Sequence, residues 1–276
     1  PQGGAIGGRI IEAGSASYTV RLQSPEGKVE ASVQSFTAED GTFFILPLRF
    51  DIPAGDYEIR VIPEDSAGAQ RNSVDVQVYN RDFPRQEIEL TREVGDLRRT
   101  EDPRREKESE ELWDILTTVS DDGFFHFDTL SVPLTQSYRV TSAFAHQRVF
   151  LYDDGTSAES IHWGWDLAAP TGTPVTAPGA GRIVLAQDRL ITGYSIVLEH
   201  LPGVYSLFYH LDSLHIQQGD IVAEGDLLGE VGSTGVSTGA HLHWELRVAA
   251  VPVQPNHFLD SPLLDRDAVL SQNTGD

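Results

Sequence analysis

The chain has 276 residues, with 42 acidic against 20 basic side chains and a formal net charge of −22. This length suits two domains of about 100–200 residues each, and the acidic balance disfavours nucleic acid and anionic lipid as partners. No cysteine occurs, which excludes a disulfide framework, and no apolar run of about 18 residues predicts a membrane span. The chain also lacks methionine, so we expect a mature or trimmed form.

Residues 1–90 are predicted to form short strands separated by turns. Residues 18–23, 54–61 and 73–78 alternate apolar and polar side chains, and residues 43–50 are strongly apolar. Short strands at this spacing are typical of a β-sandwich. The Gly-Asp-Tyr sequence that begins at Gly55 resembles bacterial immunoglobulin-like modules, which implies an immunoglobulin-like β-sandwich. We expect this domain to be a spacer, with binding of a protein partner as the alternative.

Residues 91–130 are predicted to be a linker that contains one helix. The helix should begin at Pro103, since proline is tolerated in a first turn. Its apolar side chains recur at helical spacing, which predicts one face docked on a neighbouring element. A lid over a neighbouring groove is the alternative. The stripe consists of Leu112, Ile115, Leu116 and Val119.

Three segments of the C-terminal half carry histidines next to strand-like or turn-like sequence. The first is a His-x-x-x-Asp segment, the second ends an apolar strand, and the third follows a glycine-rich turn. These segments are His162-Trp-Gly-Trp-Asp166, Leu207-Phe-Tyr-His210-Leu211 and Ser237-Thr-Gly-Ala-His241-Leu-His243-Trp-Glu245.

The third segment alternates and is predicted to be a strand, so His241 and His243 should share one face and Leu242 and Trp244 the other. Zinc binds imidazole nitrogen and carboxylate oxygen, and a catalytic zinc keeps a fourth position open for water. Two histidines and an aspartate would supply three ligands, and two histidines would remain for proton transfer. A polar pair on a solvated strand face is the alternative for this segment alone.

The three segments, in this order and spacing, resemble the LytM-type (M23, lysostaphin-like) zinc metallopeptidases. The resemblance runs from about Tyr138 to about Pro255, and it implies a C-terminal LytM-type antiparallel β-sheet domain over residues 131–276. The whole chain is therefore predicted to be mainly β. The segment from Ser142 to Arg148 resembles another block of the family, with Ala145 in place of the usual glycine. We expect that departure to lie away from the metal ligands. Two further matching blocks are Gly172-Thr-Pro-Val175 and Gly232-Ser-Thr-Gly235.

The resemblance implies one zinc ion per chain, bound by His162, Asp166 and His243. Two neutral imidazoles and one carboxylate leave a net charge of +1, so the metal would lower the pKa of a bound water toward about 7. His210 and His241 are implied as the catalytic histidines, one as the base and the other as a donor to the oxyanion or leaving amine. His241 is favoured as the base because it lies beside His243, but the two roles stay open.

The implied activity is a zinc endopeptidase that hydrolyses peptide bonds in the stems or cross-bridges of bacterial peptidoglycan, in the periplasm or outside the cell. The alternative is a non-catalytic family member that binds peptidoglycan or activates an amidase, although such members lose ligands that this chain retains. A lipoyl- or biotinyl-type carrier domain is excluded, because no lysine follows Lys107. The bond cleaved, Gly-Gly or one beside a D-residue, is left open.

The other polar residues near these segments have simpler interpretations. Glu245 either orients a histidine or forms a surface ion pair. The remaining histidines lack the spacing of metal ligands and are expected to be structural. They are His126, His146, His200, His215 and His257.

Overall fold

The computed structural model describes residues 1–11, 17–64, 72–119 and 123–271. Strands dominate it and helices are few, which confirms the mainly β prediction. Within these ranges, none of the helices combines the length and the apolar character needed to span a bilayer.

The N-terminal residues form two antiparallel sheets. The strands are β1 (Ala5–Ile10), β2 (Tyr18–Gln23), β3 (Val29–Gln34), β4 (Phe36–Ala38), β5 (Gly41–Pro47), β6 (Gly55–Pro63) and β7 (Asn72–Val78). One sheet has the order β1-β5-β4 and the other β3-β2-β6-β7. Apolar side chains of both sheets, Leu22 and Leu46 among them, form a common core. The immunoglobulin-like assignment of this sandwich stays a prediction.

Strand β5 is buried on both faces, which explains its continuous apolar sequence. Phe44 and Leu46 face the core of the sandwich. Phe43 and Ile45, which point the opposite way, belong to the core of the C-terminal half. Because alternate side chains of one strand enter two cores, β5 joins the two halves of the molecule.

The connector contains a strand and two helices: β8 (Arg85–Glu89), α1 (Arg92–Arg99) and α2 (Pro103–Thr117). Helix α2 begins at Pro103 as predicted, and the Asp102 side chain caps it by accepting from the Arg104 amide. Its apolar face docks on the C-terminal sheet, with Leu116 packed among Tyr205 and Leu207. Helix α1 was not predicted.

The elements of the C-terminal half are β9 (Arg139–Ser142), β10 (Gln147–Leu151), β11 (Ser157–Ile161), β12 (Trp165–Ala168), β13 (Pro174–Thr176), β14 (Gly181–Arg189), β15 (Gly193–Leu201), β16 (Val204–Leu214), β17 (Ile221–Val222), β18 (Leu227–Val231), β19 (Leu242–Val248), β20 (Val251–Val253), a 3-10 helix (Pro255–Leu259) and α3 (Arg266–Ser271). They form a large antiparallel sheet of the order β17-β14-β15-β16-β19-β12-β9. A second, small sheet has the order β11-β10-β8, so the connector strand β8 adds in parallel to β10. The domain boundaries at residues 90 and 130 stay predictions.

Candidate metal centre

Three neighbouring strands place the predicted site residues side by side. Asp166 on β12 lies opposite His243 on β19, and Tyr209 on β16 lies opposite His243 on the other side. Side chains directly opposite on one sheet face are about 5 Å apart at Cβ, so these residues must meet. Leu242 and Trp244 are fully buried on the opposite face, as the alternation predicted. The sheet register therefore determines the geometry of the site.

An irregularity in β16 directs His210 into the same site. The pairing of β15 with β16 shifts register next to this residue, and His210 has a φ of 63°. A left-handed conformation of a residue other than glycine costs about 1–3 kcal/mol, and such strain concentrates at functional sites. A bulge of this kind turns a side chain that regular pairing would aim elsewhere.

His162, Asp166 and His243 form a buried cluster in which three ligand atoms face one another. Nε2 of His162 lies 3.0 Å from Oδ1 of Asp166 and 3.0 Å from Nδ1 of His243. Nδ1 of His243 lies 2.7 Å from the same Asp166 oxygen. Ligands at about 2.0–2.1 Å from a tetrahedral zinc are about 3.3 Å apart, so the three distances in the cluster are shorter than that spacing by about 0.3 to 0.6 Å.

The hydrogen bonds around the cluster fix which nitrogens are available to a metal. Nδ1 of His162 donates to the carbonyl of Ala143 at 2.8 Å, which leaves a lone pair on Nε2. Nε2 of His243 donates to Oε1 of Glu245 at 3.0 Å, which leaves Nδ1 facing the cluster. Two nitrogens and a carboxylate oxygen that converge in this way repel unless a cation lies between them. These two nitrogens and one carboxylate oxygen therefore fit a divalent metal that binds nitrogen and oxygen ligands.

The protonation preferences of the cluster agree with this requirement. Burial lowers the pKa of His162 to about 4, against the opposing effect of Asp166. Burial also disfavours charge on His243, but hydrogen bonds to Asp166 and Glu245 outweigh it and raise the pKa of His243 to about 9. Burial would raise the pKa of Asp166, yet the hydrogen bonds with both histidines keep it well below its usual range. Without a metal, a proton supplies the missing positive charge at His243.

His210 and His241 lie next to the cluster, and their rings are 4.9 Å apart between centroids. Nδ1 of His210 donates to the carbonyl of Thr234 at 2.8 Å, and Nδ1 of His241 donates to that of Gly239 at 2.7 Å. Both Nε2 atoms therefore carry lone pairs. Burial lowers the pKa of His210 to about 3, and burial also lowers that of His241, so both are neutral at pH 7. All five predicted site residues line one groove of about 550 Å³.

A second layer of side chains holds His243 in place. Glu245 is buried and bonds both His243 and Arg247, so the interpretation in which it orients a histidine is the one observed. Burial would raise the pKa of Glu245, but Arg247 and His243 lower it to about 2. The Tyr209 ring stacks on His243 at 5.5 Å and 2°. Groups that fix a ligand imidazole in this way tune metal affinity.

The expectation that the segment around Ala145 lies away from the ligands was wrong. The Ala145 amide donates to the carbonyl of His162 at 2.7 Å, and Ala143 accepts from the imidazole of His162. Ala145 has a φ of 60°, in the region that favours glycine, which explains the glycine usual in the family block. Arg148 of the same segment pairs with Oδ2 of Asp166. This ion pair was missed, and its only sequence signal was the matching block itself.

The remaining histidines lie outside the metal cluster of the described residues. His200 is fully buried and bonds the carbonyl of Ala180 and the hydroxyl of Ser206. His215 lies at the surface between Ser213 and Glu230. These contacts are structural, as expected for these residues.

Comparison with known proteins places this site in a family. Residues 160–255 match the model of peptidase family M23. The chain is 43% identical over 95 residues to the DD-carboxypeptidase/endopeptidase Mpg of Neisseria meningitidis, which is 34% of this chain and 22% of that protein. It is 33% identical over 121 residues to the peptidoglycan DD-endopeptidase ShyA of Vibrio cholerae, 44% of this chain and 27% of that protein. The chain thus spans about a quarter of these relatives.

One solved structure shares the fold of almost the whole chain. It is a Pseudomonas aeruginosa protein assigned to peptidase M23, with a TM-score of 0.65 and 24% identity, over 94% of this chain and 93% of that one. The buried His-Asp-His cluster lies within the residues that match peptidase family M23, which is a family of metallopeptidases. Residues 160–255 form a peptidase family M23 domain, which confirms the LytM-type resemblance of the sequence.

Proposed function

We propose that the chain is a zinc-dependent endopeptidase that hydrolyses peptide bonds in the stems or cross-bridges of bacterial peptidoglycan, with one zinc ion per chain. The observation that carries the proposal is the convergence of His162, Asp166 and His243 beside two further histidines in one groove. The names of the relatives, a DD-carboxypeptidase/endopeptidase and a peptidoglycan DD-endopeptidase, support this substrate. Such a substrate implies a periplasmic or extracellular location.

In this proposal, the three cluster residues hold the metal, which supplies a Lewis acid for the scissile carbonyl and for a water molecule. His241 is the proposed base. Its Nε2 lies 3.6 Å from Oδ1 of Asp166, whose charge partly offsets the effect of burial on the pKa of His241. A general base is most efficient when its pKa lies near the operating pH. His210, whose pKa is about 3, is the weaker proton acceptor of the two.

The Nε2 atom of His241 accepts the proton that leaves the attacking water, and the imidazolium then donates this proton to the departing amine. The bond from Nδ1 to Gly239 keeps the ring in the orientation that presents Nε2 throughout. His210 faces the same groove, and its neutral Nε2 accepts a hydrogen bond from the attacking water or from the N–H of the departing amine. His210 is buried and the side chain of His241 is 16% exposed, so the groove partly shields both rings from bulk water.

The test is release of new amines from purified peptidoglycan, measured together with bound zinc. We expect the wild type to release amines, chelator to abolish release, and His162→Ala or Asp166→Ala to lose both zinc and activity. His241→Ala should retain zinc and lose about 10²–10⁴-fold in rate. His215→Ala is the matched control, because this histidine is exposed and outside the cluster.

Two outcomes would contradict parts of the proposal. Loss of zinc in His241→Ala would mean that the roles of His241 and His243 are exchanged. A zinc-loaded wild type that binds peptidoglycan but releases no amine would establish the alternative, a non-catalytic binding or amidase-activating protein.

A further inference from the structure

The connector supplies part of the wall of the groove that contains the metal cluster. Helix α1 contributes Val94 and Arg98, and the segment before it contributes Ile88 and Leu90. This wall is held by packing on the small sheet, since Leu90 and Phe150 share a buried cluster. Any peptide that lies in the groove therefore contacts residues outside the matched family segment, which begins at residue 160.

The charges that line this groove are opposite to those of the chain as a whole. The protein has 42 acidic and 20 basic side chains, yet the groove is lined by Arg98, Arg139 and Arg148. Within the described ranges its lining includes two carboxylates, Asp166 and Glu245, and both belong to the metal centre. Each of these carboxylates already pairs with an arginine: Asp166 with Arg148, and Glu245 with Arg247. The groove thus concentrates positive charge on an acidic protein.

Two of these arginines have guanidinium N–H groups that are available to a ligand. Of the residues that the structure describes, none provides a carboxylate that forms an ion pair with Arg98 or Arg139, whereas Arg148 is committed to Asp166. The central guanidinium carbon of Arg98 lies over the Phe150 ring, 4.0 Å from its centroid. Stacking of this kind holds a guanidinium in position while its N–H edges stay free for a planar anion. Arg139 is exposed on β9, the last strand of the large sheet.

We propose that Arg98 and Arg139 form a subsite that binds a free carboxylate of the substrate peptide. Arginine pairs with carboxylates through two parallel, charge-assisted hydrogen bonds, and the half-buried side chain of Val94 lines the groove beside Arg98, where it is available to the aliphatic part of the same residue. The proposal rests on the proposed peptidase function and narrows its substrate: the enzyme selects stem peptides with free carboxyl groups over amidated peptides and over neutral glycine bridges.

The experiment compares two synthetic cross-linked stem peptides that differ only in whether their side-chain and terminal carboxyls are free or converted to primary amides. The variants are the double change Arg98→Gln with Arg139→Gln, and Arg92→Gln as control. Arg92 lies on the same helix, but its side chain is 82% exposed and pairs with Asp153. Hydrolysis is followed as KM and kcat separately. Equilibrium binding of both peptides to the chain in chelator is measured by calorimetry.

For the wild type and Arg92→Gln, we expect the free-carboxyl peptide to have a KM and a Kd at least about tenfold lower than the amide. In the double variant, both constants for the free-carboxyl peptide should rise to those of the amide, while kcat and the constants for the amide stay unchanged. The constants for the amide peptide report whether the variant is folded, because a misfolded variant would neither bind nor hydrolyse that peptide.

Equal binding of the two peptides to the wild type, or an unchanged preference in the double variant, would overturn the subsite. The binding arm separates this failure from that of the proposed function. A chain that prefers the free-carboxyl peptide in chelator but cleaves neither peptide nor peptidoglycan would retain the subsite without being a peptidase.

Discussion

Glu245 accepts a hydrogen bond from Nε2 of His243 and thereby keeps the Nδ1 atom of the same ring facing the cluster. Replacing it by glutamine removes the negative charge while conserving the shape, and it leaves Arg247 without its buried partner. We expect Glu245→Gln to bind zinc about 10–100-fold more weakly, as is usual when a carboxylate behind a ligand histidine is lost. Competition with a chromogenic chelator measures the affinity.

Glu224 provides the control for that experiment, because it is exposed in a turn of the same half. Glu224→Gln should leave the zinc affinity unchanged. An affinity of Glu245→Gln equal to that of the wild type would mean that the hydrogen bond, and not the charge, orients His243.

The raised pKa of His243 predicts how metal binding depends on pH. Its value of about 9 means that the imidazole holds a proton below pH 9, and the metal must displace this proton. We therefore expect about one proton to be released per zinc ion at pH 7, and the apparent affinity to rise about tenfold per pH unit until about pH 9. His162, with a pKa of about 4, adds a second proton only in acid.

Calorimetry in two buffers of different ionisation enthalpy counts these protons. Release of no proton at pH 7 would contradict the prediction, because it would mean that His243 is already neutral in the metal-free protein. Glu245→Gln offers a further check that keeps all three proposed ligands: it removes a carboxylate that raises the pKa of His243, so fewer protons should be released per zinc ion.

At the scale of elements, the sequence predicted the strands and helices whose bounds follow from a local pattern of residues. β2 covers the predicted residues 18–23, and α2 begins at the predicted Pro103. The five histidine and aspartate positions of the site could be predicted because each lies in a short motif. The pair between Arg148 and Asp166 could not, since it joins β10 of the small sheet to β12 of the large sheet and depends on how the two sheets pack.

Helix α1 was missed because it is short, although its ends carry the usual signals, with the Thr91 cap and Glu93 at the start and two arginines in the last turn. It has eight residues with a glycine in the middle, and its only aliphatic side chains are Val94 and Leu97. Glycine is normally unfavourable inside a helix, but Gly95 packs against Tyr152, where a Cβ would lie 3.1 Å from the ring. Tertiary packing, together with the Thr91 cap, therefore overrides local propensity here.

The docking of α2 can be tested by a substitution on each of its faces. Leu116 is 3% exposed and packs on the large sheet, so Leu116→Ala should lower the free energy of unfolding by about 2–5 kcal/mol. Trp113 on the same helix is 62% exposed, and Trp113→Ala should change the free energy of unfolding by less than about 0.5 kcal/mol. Urea denaturation followed by circular dichroism measures both. Equal effects would mean that α2 is not docked in solution.

At the scale of the whole molecule, the two halves share a core through β5. Phe43 is completely buried and belongs to the same cluster as Phe208 and Leu242 of the C-terminal sheet. An ion pair between Asp40 and Arg266 joins the halves again near this contact. The predicted boundary at residue 90 separates these residues in sequence, so an apolar strand that serves two cores could not be recognised from its pattern alone.

Shared burial of this kind predicts that the halves unfold together. Phe43→Ala should lower the free energy of unfolding by about 3–5 kcal/mol, and tryptophan fluorescence should report this loss although all four tryptophans lie at position 113 or beyond. Leu22→Ala, in the core of the N-terminal sandwich, tests how far the coupling extends. If the chain unfolds as a single cooperative unit, this substitution also lowers the urea midpoint measured by tryptophan fluorescence. If fluorescence midpoints are unchanged in both variants, the C-terminal half is stable without β5, and the contact at Phe43 contributes nothing to it.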